Sequence, residues 1–279
     1  MPVPDVDFFH LKHPPVVEVS LGIQFDPIER LNGLHVGLYW SERRLEFPKT
    51  EEHHPIAPEF EVFPRLRTRE ARPAFTIHDS PSVPRFWFLN ETGSELIQIQ
   101  QDRFIHNWRK LGNEDSYPSY GNVREIFVRE VHGFRDFLQR ESLGELTVNQ
   151  CELAYVDHIV SGEHWTEHHE LDAVFRWWSS APVSEVERPE EIHVHQRHLI
   201  IGPDGKPCGR LHLSIEPAWR VTDGKPIFLF RQVARGMGDG TSIDDALAFL
   251  DLAHDFVIRT FAGSMTQSML ESWGERDHG

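Results

Sequence analysis

Alternating hydrophobic and polar residues mark the first structural element of the chain. From Val16 to Phe25, apolar side chains recur at every second position, which predicts a strand with one buried face. The Asp26-Pro27 pair ends this strand, because proline cannot donate a hydrogen bond to a β-ladder. The next stretch, residues 29–44, predicts an amphipathic helix. Its apolar positions are Leu31, Leu34 and Leu38, with Leu45 just beyond.

The pattern between this helix and the middle of the chain predicts short strands. A loop rich in proline and charge is expected up to Pro58, followed by strands at Phe60–Phe63, Ala74–His78 and Arg85–Leu89. A turn at residues 90–95 then leads into a long strand, Leu96–Lys110, and the two form a hairpin. We expect the long strand to bulge or bend near Gln100-Gln101, which would change which side chains share a face.

The clearest helix lies at residues 119–140, where apolar residues repeat every 3.6 positions with Arg and Glu opposite them. A strand at Leu146–Val160 follows it. Further strands are predicted at Glu191–Ile201, Arg210–Ile215 and Ile227–Val233. Ser242, with an acidic residue three positions later, resembles a capping box and predicts a last helix that ends near Ala262.

Each half of the chain is therefore predicted to be an antiparallel meander followed by a long amphipathic helix. This indicates an α+β fold, with helices packed on antiparallel sheet and two similar meander-plus-helix halves. We place the N-terminal half at residues 1–160 and the C-terminal half at residues 161–279, with Pro182–Pro189 as a candidate linker. One continuous domain is the alternative.

The amino-acid composition narrows the classes of protein to which this chain can belong. A chain of 279 residues with 39% hydrophobic residues can bury a sizeable core. Its formal net charge of −16 makes nucleic acid an unlikely partner, since phosphate contacts need clustered Lys and Arg. The local cluster of Arg65, Arg67, Arg69 and Arg72 is interpreted as a solvated loop. With no signal-like start and no long apolar run, we expect a cytoplasmic protein with no membrane partner.

Polar and aromatic side chains are densest in the second part of the long strand. Guanidinium forks bind carboxylates and phosphates, and an indole ring can stack on a planar group, so we expect a ligand site here. The alternative is a polar network that locks the strand to the helix at 119–140. The candidate ligand-binding residues are Asp102, His106 and Trp108 on one face, and Arg103, Asn107 and Arg109 on the other.

Histidines suggest a second kind of site. His193 and His195 alternate along a strand and share a face, so with His212 from a neighbouring strand they could hold zinc or another divalent metal. The alternative is a solvent-facing strand without a cofactor. His164-Trp-Thr-Glu-His168 matches the inverted zinc-hydrolase pattern, but it follows directly on a strand end and is interpreted as a polar connector. His254, at the border of the apolar face of the last helix, is interpreted as a helix-packing histidine rather than a catalytic base.

Short motifs are spread over nearly the whole chain. They are Pro14-Pro-Val16, Ile23-Gln-Phe-Asp-Pro27, the Gln98–Lys110 region, Tyr117-Pro-Ser-Tyr120, Glu152–Ile159, Leu250-Asp-x-Ala-His254 and Trp273-Gly-Glu275. Together they resemble an uncharacterised, sporadically distributed prokaryotic protein family of about this length. The patchy occurrence implies a horizontally exchanged gene with a role in defence or genetic conflict, and the resemblance implies no catalytic residue. Asp157 departs from the family pattern, which has an amide residue there.

These observations leave three hypotheses. The first is a non-catalytic binding or accessory protein that recognises a protein partner or a small ligand through Asp102–Lys110. The second is a structural subunit of a larger complex, and the third is a metal-dependent hydrolase that uses the histidine cluster. Assembly into a homo-oligomer is compatible with each of them.

Overall fold

The computed structural model describes residues 11–63, 83–112, 116–179, 189–238 and 240–274. Its strands are β1 (Val16–Phe25), β2 (Lys49–His53), β3 (Arg85–Leu89), β4 (Glu95–Gln100), β5 (Arg103–Arg109), β6 (Val148–Val160), β7 (Val194–Ile201), β8 (Pro207–Trp219) and β9 (Pro226–Gly236). Its helices are α1 (Gly33–Arg43), α2 (Tyr120–Arg140), α3 (Leu171–Val174), α4 (Ile243–Ser264) and α5 (Gln267–Ser272). The Arg65–Arg72 cluster, the strand expected at Ala74–His78 and all of the candidate linker except Pro189 lie outside the described residues.

The described strands form one antiparallel sheet in the order β2-β3-β4-β5-β1-β6-β9-β8-β7. Strands β1 and β6 pair at its centre, where Leu21 lies opposite Leu153. The α+β fold class is therefore confirmed. No helix in the described part of the chain is long and apolar enough to cross a membrane.

One face of the sheet is covered by helices. Helix α2 packs on β5 and β1, and helix α4 packs on β6, β9 and β8. Side chains that point to this helix face are buried, for example Leu21, Phe104 and Leu153. Glycines bring α4 close to the sheet: a Cβ on Gly236 would lie 2.6 Å from the ring of Phe249. The opposite side, called here the open face, carries the alternate residues of every strand.

The long helices match the sequence pattern closely. Helix α2 buries Val123, Phe127, Val131 and Phe134 against the sheet, as the 3.6-residue repeat predicts. Helix α4 begins with the predicted capping box, in which Ser242 and Asp245 bind each other's backbone amide. Both predictions are confirmed.

The predicted apolar face of helix α1 is wrong, although Leu31, which precedes the helix, is buried as expected. Leu34 is 86% exposed, and Leu38 is exposed as well, whereas Val36 and Tyr39 are buried. The aromatic ring determines the orientation, because Tyr39 packs its edge against Phe134 of α2 at a centroid distance of 5.5 Å. Aromatic burial contributes more than two leucines on the opposite side of a short helix.

The single long strand predicted at Leu96–Lys110 is also wrong. The chain reverses at Gln101-Asp102, and β4 pairs with β5 so that Gln100 lies opposite Arg103. Two backbone hydrogen bonds, one from the last residue of β1 and one from the connection to α1, hold the reversal. Phe25 donates its N–H to Asp102 at 3.0 Å, and Ile28 donates its N–H to Gln101 at 2.9 Å. The expected bend at this position is therefore a complete turn.

The connection after α1 differs from its prediction as well. Part of the expected loop is edge strand β2, which pairs with β3. The segment Phe60–Phe63, expected as a strand, belongs to no strand. Residues 54–63 instead run as an extended segment across the open face, and we call this segment the strap. Its hydrogen bonds are made with side chains of the sheet rather than with a neighbouring strand.

Candidate ligand-binding face

The open face is unusually polar for the side of a sheet. In the middle of the sheet it carries Ser20, Gln24, Gln98, Gln100, Arg103, Asn107, Gln150, Glu152, Arg210, His212 and Arg235. Several of these are buried, including Gln24, Gln98, Gln100, Asn107, Gln150 and Arg210. A polar face that is covered in part by its own chain is a candidate binding surface.

A chain of hydrogen bonds crosses four strands of this face. Arg85 on β3 donates to Gln98 on β4 at 2.8 Å. Gln98 donates to Asn107 on β5 at 2.7 Å, and Asn107 donates to Glu18 on β1 at 2.7 Å. The chain begins at a cation and ends at a carboxylate, so every amide in it is oriented in the same direction. Asn107 is therefore held in place by its neighbours.

Trp87 lies beside this chain with cations near its ring. The Arg85 and Arg109 guanidinium carbons lie 5.4 Å and 5.7 Å from the ring centroid. The His53 ring lies 4.0 Å away, centroid to centroid. Arg109 also donates to the Gly93 carbonyl at 2.8 Å, which fixes it at the edge of the face. The two arginine contacts are typical of cation–π packing.

Glutamine side chains hold the backbone of the strap. Gln100 accepts from Ile56 N–H at 2.8 Å and donates to the Ile56 carbonyl at 2.9 Å. Gln24 accepts from Glu59 N–H at 3.1 Å, and a longer bond of 3.4 Å joins Glu61 N–H to Gln150. These glutamines lie on β4, β1 and β6, so the strap crosses the strands rather than following them.

Cations hold the carboxylates of the strap. Glu59 forms an ion pair with Arg235, and Glu61 forms one with Arg210. His212 Nε2 lies 2.5 Å from the second carboxylate oxygen of Glu61. Burial raises the pKa of Glu61, but the hydrogen bonds from Arg210 and His212 outweigh burial, and the net effect lowers it. Glu61 is therefore bound as a carboxylate.

A small pocket of about 20 Å³, with room for roughly one water molecule, lies beside the strap over the centre of the sheet. Gly22 forms part of its floor, and Arg103, Gln150 and Arg235 line it. Arg103 donates to Gln24 at 2.6 Å and to the Ala57 carbonyl at 3.1 Å. Burial lowers the pKa of Arg103, because the charged guanidinium is withdrawn from water.

The residues predicted for ligand binding divide between the two faces. Arg103, Asn107 and Arg109 lie on the open face. His106 and Trp108 point to the helix face and are buried, and His106 Nε2 lies 2.7 Å from Glu95 Oε2. Asp102 belongs to the turn, where its carboxylate accepts from Gln100 at 2.7 Å. Strand alternation makes one surface shared by the whole set impossible.

Of the predicted metal residues, His195 and His212 lie on the open face near one edge of the sheet, and His193 immediately precedes β7. His195 pairs with Ser214, and His212 pairs with Arg197 one step further along β7 and β8. His212 is bound to Glu61 of the strap, and His193 lies 3.1 Å from Glu191. Within the described ranges, no three His, Cys, Asp or Glu side chains converge to form a metal site.

The residues of the zinc-hydrolase pattern, 164–168, do not form a helix. Trp165 is buried and stacks on Phe228 with a centroid distance of 4.3 Å. His168 Nε2 lies 3.1 Å from two backbone carbonyl oxygens, those of Ala218 and Ile227. The motif therefore serves to pack a connector on the sheet, as its sequence context indicates.

A cluster of tyrosine and histidine side chains lies between α2, α4 and β6. Tyr155 on β6 lies within hydrogen-bond distance of Tyr117 at 2.9 Å and of His254 Nδ1 at 3.1 Å. His254 stacks on Tyr120, with centroids 3.9 Å apart and an angle of 5°. Burial lowers the pKa of His254 to about 4, partly offset by Asp251, so the ring is neutral. His254 therefore packs against α2 and β6, which agrees with its interpretation as a helix-packing histidine.

Sequence reasoning identified Arg103, which donates to Ala57 of the strap, but not the glutamines or the other arginines that contact the strap. Gln24, Gln100 and Gln150 stand at polar positions of alternating strands, so their parity places them on the face away from the helices. The alternation of polar and apolar residues in β1 and β6 could therefore have identified Gln24 and Gln150 from the sequence. The strap itself has no periodic pattern, and its contacts join residues more than thirty positions apart.

Comparison with models of protein families finds none that matches the chain, and comparison with curated proteins also finds no match.

Proposed function

We propose that this chain is a non-catalytic binding protein whose open face recognises an extended, acidic polypeptide segment of a protein partner. The observation that carries the proposal is the binding of the strap backbone by Gln100, Gln24 and Gln150. Side-chain amides that bind backbone N–H and C=O groups recognise an extended chain whatever its side chains are. The strap is the segment of this chain that occupies the face.

The preference for acidic segments follows from the basic side chains along the path of the strap. Arg210, Arg235 and His212 bind the carboxylates of Glu59 and Glu61, two residues apart. The chain as a whole carries a formal net charge of −16, so the basic side chains along the strap form a local positive region on an acidic protein. Charge complementarity of this kind selects partners and speeds their association.

The strap can be exchanged for a partner because polar contacts hold it. Phe60 is 55% exposed and Val62 is 48% exposed, so neither is an apolar anchor. Each hydrogen bond contributes roughly 1 kcal/mol in net terms. A segment with few buried apolar groups belongs to the least stable part of a fold, and it opens without global unfolding.

A peptide competition experiment tests the proposal. The probe is a synthetic peptide with the sequence of residues 54–63, titrated calorimetrically into the full chain. The strap of the test protein is weakened by Glu59→Lys with Glu61→Lys, because these changes remove its ion pairs. We expect the peptide to bind this variant at least about 10-fold more tightly than the wild type, a difference of about 1.4 kcal/mol.

The matched control is a peptide in which both glutamates are replaced by glutamine. We expect it to bind the weakened variant at least about 10-fold less tightly than the acidic peptide. Failure of the acidic peptide to bind the variant, or equal binding of the two peptides, would reject the proposal.

We further propose that the sheet consists of two related halves. Strands β1 and β6 lie side by side at its centre, and each is followed by a meander that returns to pair with it, through β5 and β9 respectively. Helices α2 and α4 follow these meanders along the chain. A cytoplasmic location is part of the same proposal, and it rests on the sequence expectation given above.

A further inference from the structure

A groove lies on the open face next to the strap, over the last three strands of the sheet. Its volume of about 580 Å³ lies in the range of ligand pockets, roughly 300–1,000 Å³. Strands β7, β8 and β9 form its floor, and its lining includes Arg197, Ser214 and Arg231. Both arginines are exposed and Ser214 is half-buried, so a ligand can reach all three side chains.

The strand register brings these side chains together. Ser214 on β8 pairs with His195 on β7 and with Arg231 on β9, so the three residues form a row across the sheet. Arg197 follows His195 by two residues and therefore shares its face. With strands about 4.8 Å apart and a rise of about 3.3 Å per residue, the Cα atoms of Arg197 and Arg231 are roughly 12 Å apart. A group bound above Ser214 is within reach of both guanidinium groups, from opposite sides.

The two arginines of the groove are not engaged with other side chains. Neither forms a hydrogen bond, an ion pair or a ring contact with any residue that the structure describes. Arg210 and Arg235 on the same face differ, because they are bound to Glu61 and Glu59 of the strap. A guanidinium has five N–H donors and makes its strongest hydrogen bonds with anions. Two guanidinium groups that border one groove therefore favour an anionic ligand.

The placement of the donors favours a phosphate group over a carboxylate. A carboxylate has two oxygens in one plane, and a single guanidinium fork satisfies both. A phosphate monoester carries a charge of about −1.5 to −2 at pH 7 and has three strongly accepting oxygens. It can therefore accept from guanidinium groups on two sides and from the hydroxyl of Ser214 beneath it.

The rest of the lining limits where the phosphate group lies. On the side of the strap, His212 is already bound to Glu61. At the other end of the groove, Glu216 follows Ser214 by two residues on β8, and its carboxylate repels an anion. The phosphate group therefore belongs between these two ends, above Ser214. Val233 on β9 offers an apolar surface beside it.

We propose that this groove binds a phosphate monoester. Arg197 and Arg231 donate to its oxygens from opposite sides, Ser214 donates from the floor, and the substituent packs on Val233. The phosphate group belongs either to a small molecule or to a phosphorylated side chain of a polypeptide, and two probes distinguish these sources. The donors make no contact with the strap among the described residues, so this site and the recognition of acidic segments can fail separately.

Calorimetric titration of the full chain with phenyl phosphate tests the proposal, with phenyl sulfate and sodium benzoate as comparison ligands. Phenyl sulfate has a similar shape but a single negative charge. We expect phenyl phosphate to bind saturably and at least about 10-fold more tightly than either comparison ligand. Equally tight binding of phenyl sulfate or benzoate would overturn the assignment of a phosphate monoester.

A second probe identifies the source of the phosphate group. It is a capped peptide of four glycines with phosphoserine at its centre, which presents the phosphate group on a polypeptide without other charges. Tighter binding of this peptide than of phenyl phosphate would assign the site to phosphorylated polypeptides, and weaker binding would assign it to small molecules. No saturable binding of either probe would overturn the proposal.

Four variants locate the site. Arg197→Gln and Arg231→Gln should each weaken the binding of phenyl phosphate at least about 10-fold. Glu216→Gln removes the repulsion and should strengthen binding at least about 2-fold, a gain that a folding defect cannot produce. The control is Arg44→Gln, at an exposed arginine that follows α1, and it should change binding less than about 2-fold. Unchanged binding in both groove arginine variants would overturn the proposal.

A measurement on the wild-type protein shows directly where the probe binds. The backbone amide signals of Arg197, Ser214 and Arg231 should shift along one common saturation curve as phenyl phosphate is added. The backbone amide signal of Gln100, five strands away from β9 or nearly so, serves as the reference and should not shift. Saturable shifts that leave all three groove amides unchanged would place the ligand elsewhere and overturn the proposal.

Discussion

Gln100 binds both backbone polar groups of Ile56, accepting from its N–H at 2.8 Å and donating to its carbonyl at 2.9 Å. A side-chain amide here makes the pair of bonds that one strand makes with the next in a sheet. The Gln100 amide is itself oriented by Asp102, whose carboxylate accepts from Nε2 at 2.7 Å. The turn between β4 and β5 therefore supports the contact with the strap.

The first prediction concerns this contact. Gln100→Leu should release the Ile56 end of the strap, because both hydrogen bonds are lost at once. We expect the hydrogen-exchange rate of the Ile56 amide to rise at least about 10-fold and the unfolding free energy to fall by about 1–2 kcal/mol. Gln101→Leu is the control, since Gln101 binds the Leu31 carbonyl and not the strap. Unchanged exchange at Ile56 in Gln100→Leu would contradict the prediction.

Acid should detach the other end of the strap. The pKa of Glu61 is lowered below its ordinary value of 4.5, since the bonds from Arg210 and His212 outweigh its burial. A carboxylate whose pKa is lowered by folding stabilises the folded protein. This stabilisation is fully present above pH 4.5 and is lost as the pH falls through the pKa that Glu61 has in the folded protein. The NMR signals of the Glu61 and Val62 amides should therefore shift below pH 4.5. At neutral pH, the Glu61→Gln variant should give the amide signals that the wild type gives at low pH, when the strap is detached. Signals identical to those of the wild type at neutral pH would rule this mechanism out.

The two faces of β5 should respond differently to substitution. Trp108 is buried on the helix face, with its ring centroid 5.5 Å from that of Tyr117. Trp108→Ala should lower the unfolding free energy by about 3–5 kcal/mol, measured by urea denaturation. Arg109→Ala, on the open face, should cost roughly 1 kcal/mol, since it loses one hydrogen bond and a cation–π contact. Equal losses in the two variants would contradict the assignment of faces.

The sequence predicts which side chains of β5 share a face, but it does not predict the path of the strap. Alternation along the chain separates His106 and Trp108 from Arg103, Asn107 and Arg109, and the structure places these sets on opposite faces. Alternation alone does not say which set the helices cover, because both sets contain polar groups. Long-range packing decides that question, as it decides the orientation of α1 through Tyr39.

The path of the strap could not be predicted for a different reason. Strand pairing leaves a periodic pattern in the sequence, but an extended segment held by side-chain amides leaves none. Gln24 and Glu59 meet only because β1 lies beneath the strap in the finished sheet. The contacts depend on the order of all the strands, which local patterns do not contain.

His254 should make the protein sensitive to mild acid. Burial lowers its pKa to about 4 from the ordinary 6.5, so between these values the unfolded chain binds more protons than the folded one. The stabilisation that the neutral His254 ring gives the folded protein is fully present above about pH 6.5. As the pH falls toward 4, the unfolding free energy decreases by roughly 1.4 kcal/mol per pH unit. His254→Phe keeps the stack on Tyr120 and should reduce the stability difference between pH 7 and pH 5 by about 2 kcal/mol. His195→Gln, at an exposed position, should leave that difference as it is in the wild type.

Asp157 should destabilise the protein at neutral and alkaline pH. It is 3% exposed beneath the helices, and its Oδ2 finds no hydrogen-bond partner in the described ranges. Burial raises its pKa from 3.8 to about 8, so the folded protein binds more protons than the unfolded chain between these values, and stability falls as the pH rises.

Asparagine carries no charge, so its burial at this position imposes no cost of ionisation. Asp157→Asn should therefore stabilise the protein, by little at pH 4 and by about 5 kcal/mol at pH 8, since each unit of the pKa shift corresponds to about 1.4 kcal/mol. Urea denaturation at the two pH values measures the change. Asp251→Asn is the contrasting variant: Asp251 is half-exposed and pairs with Arg124, so its substitution should destabilise at both pH values. A gain in Asp157→Asn that does not grow with pH would show that Asp157 is ionised in the folded protein.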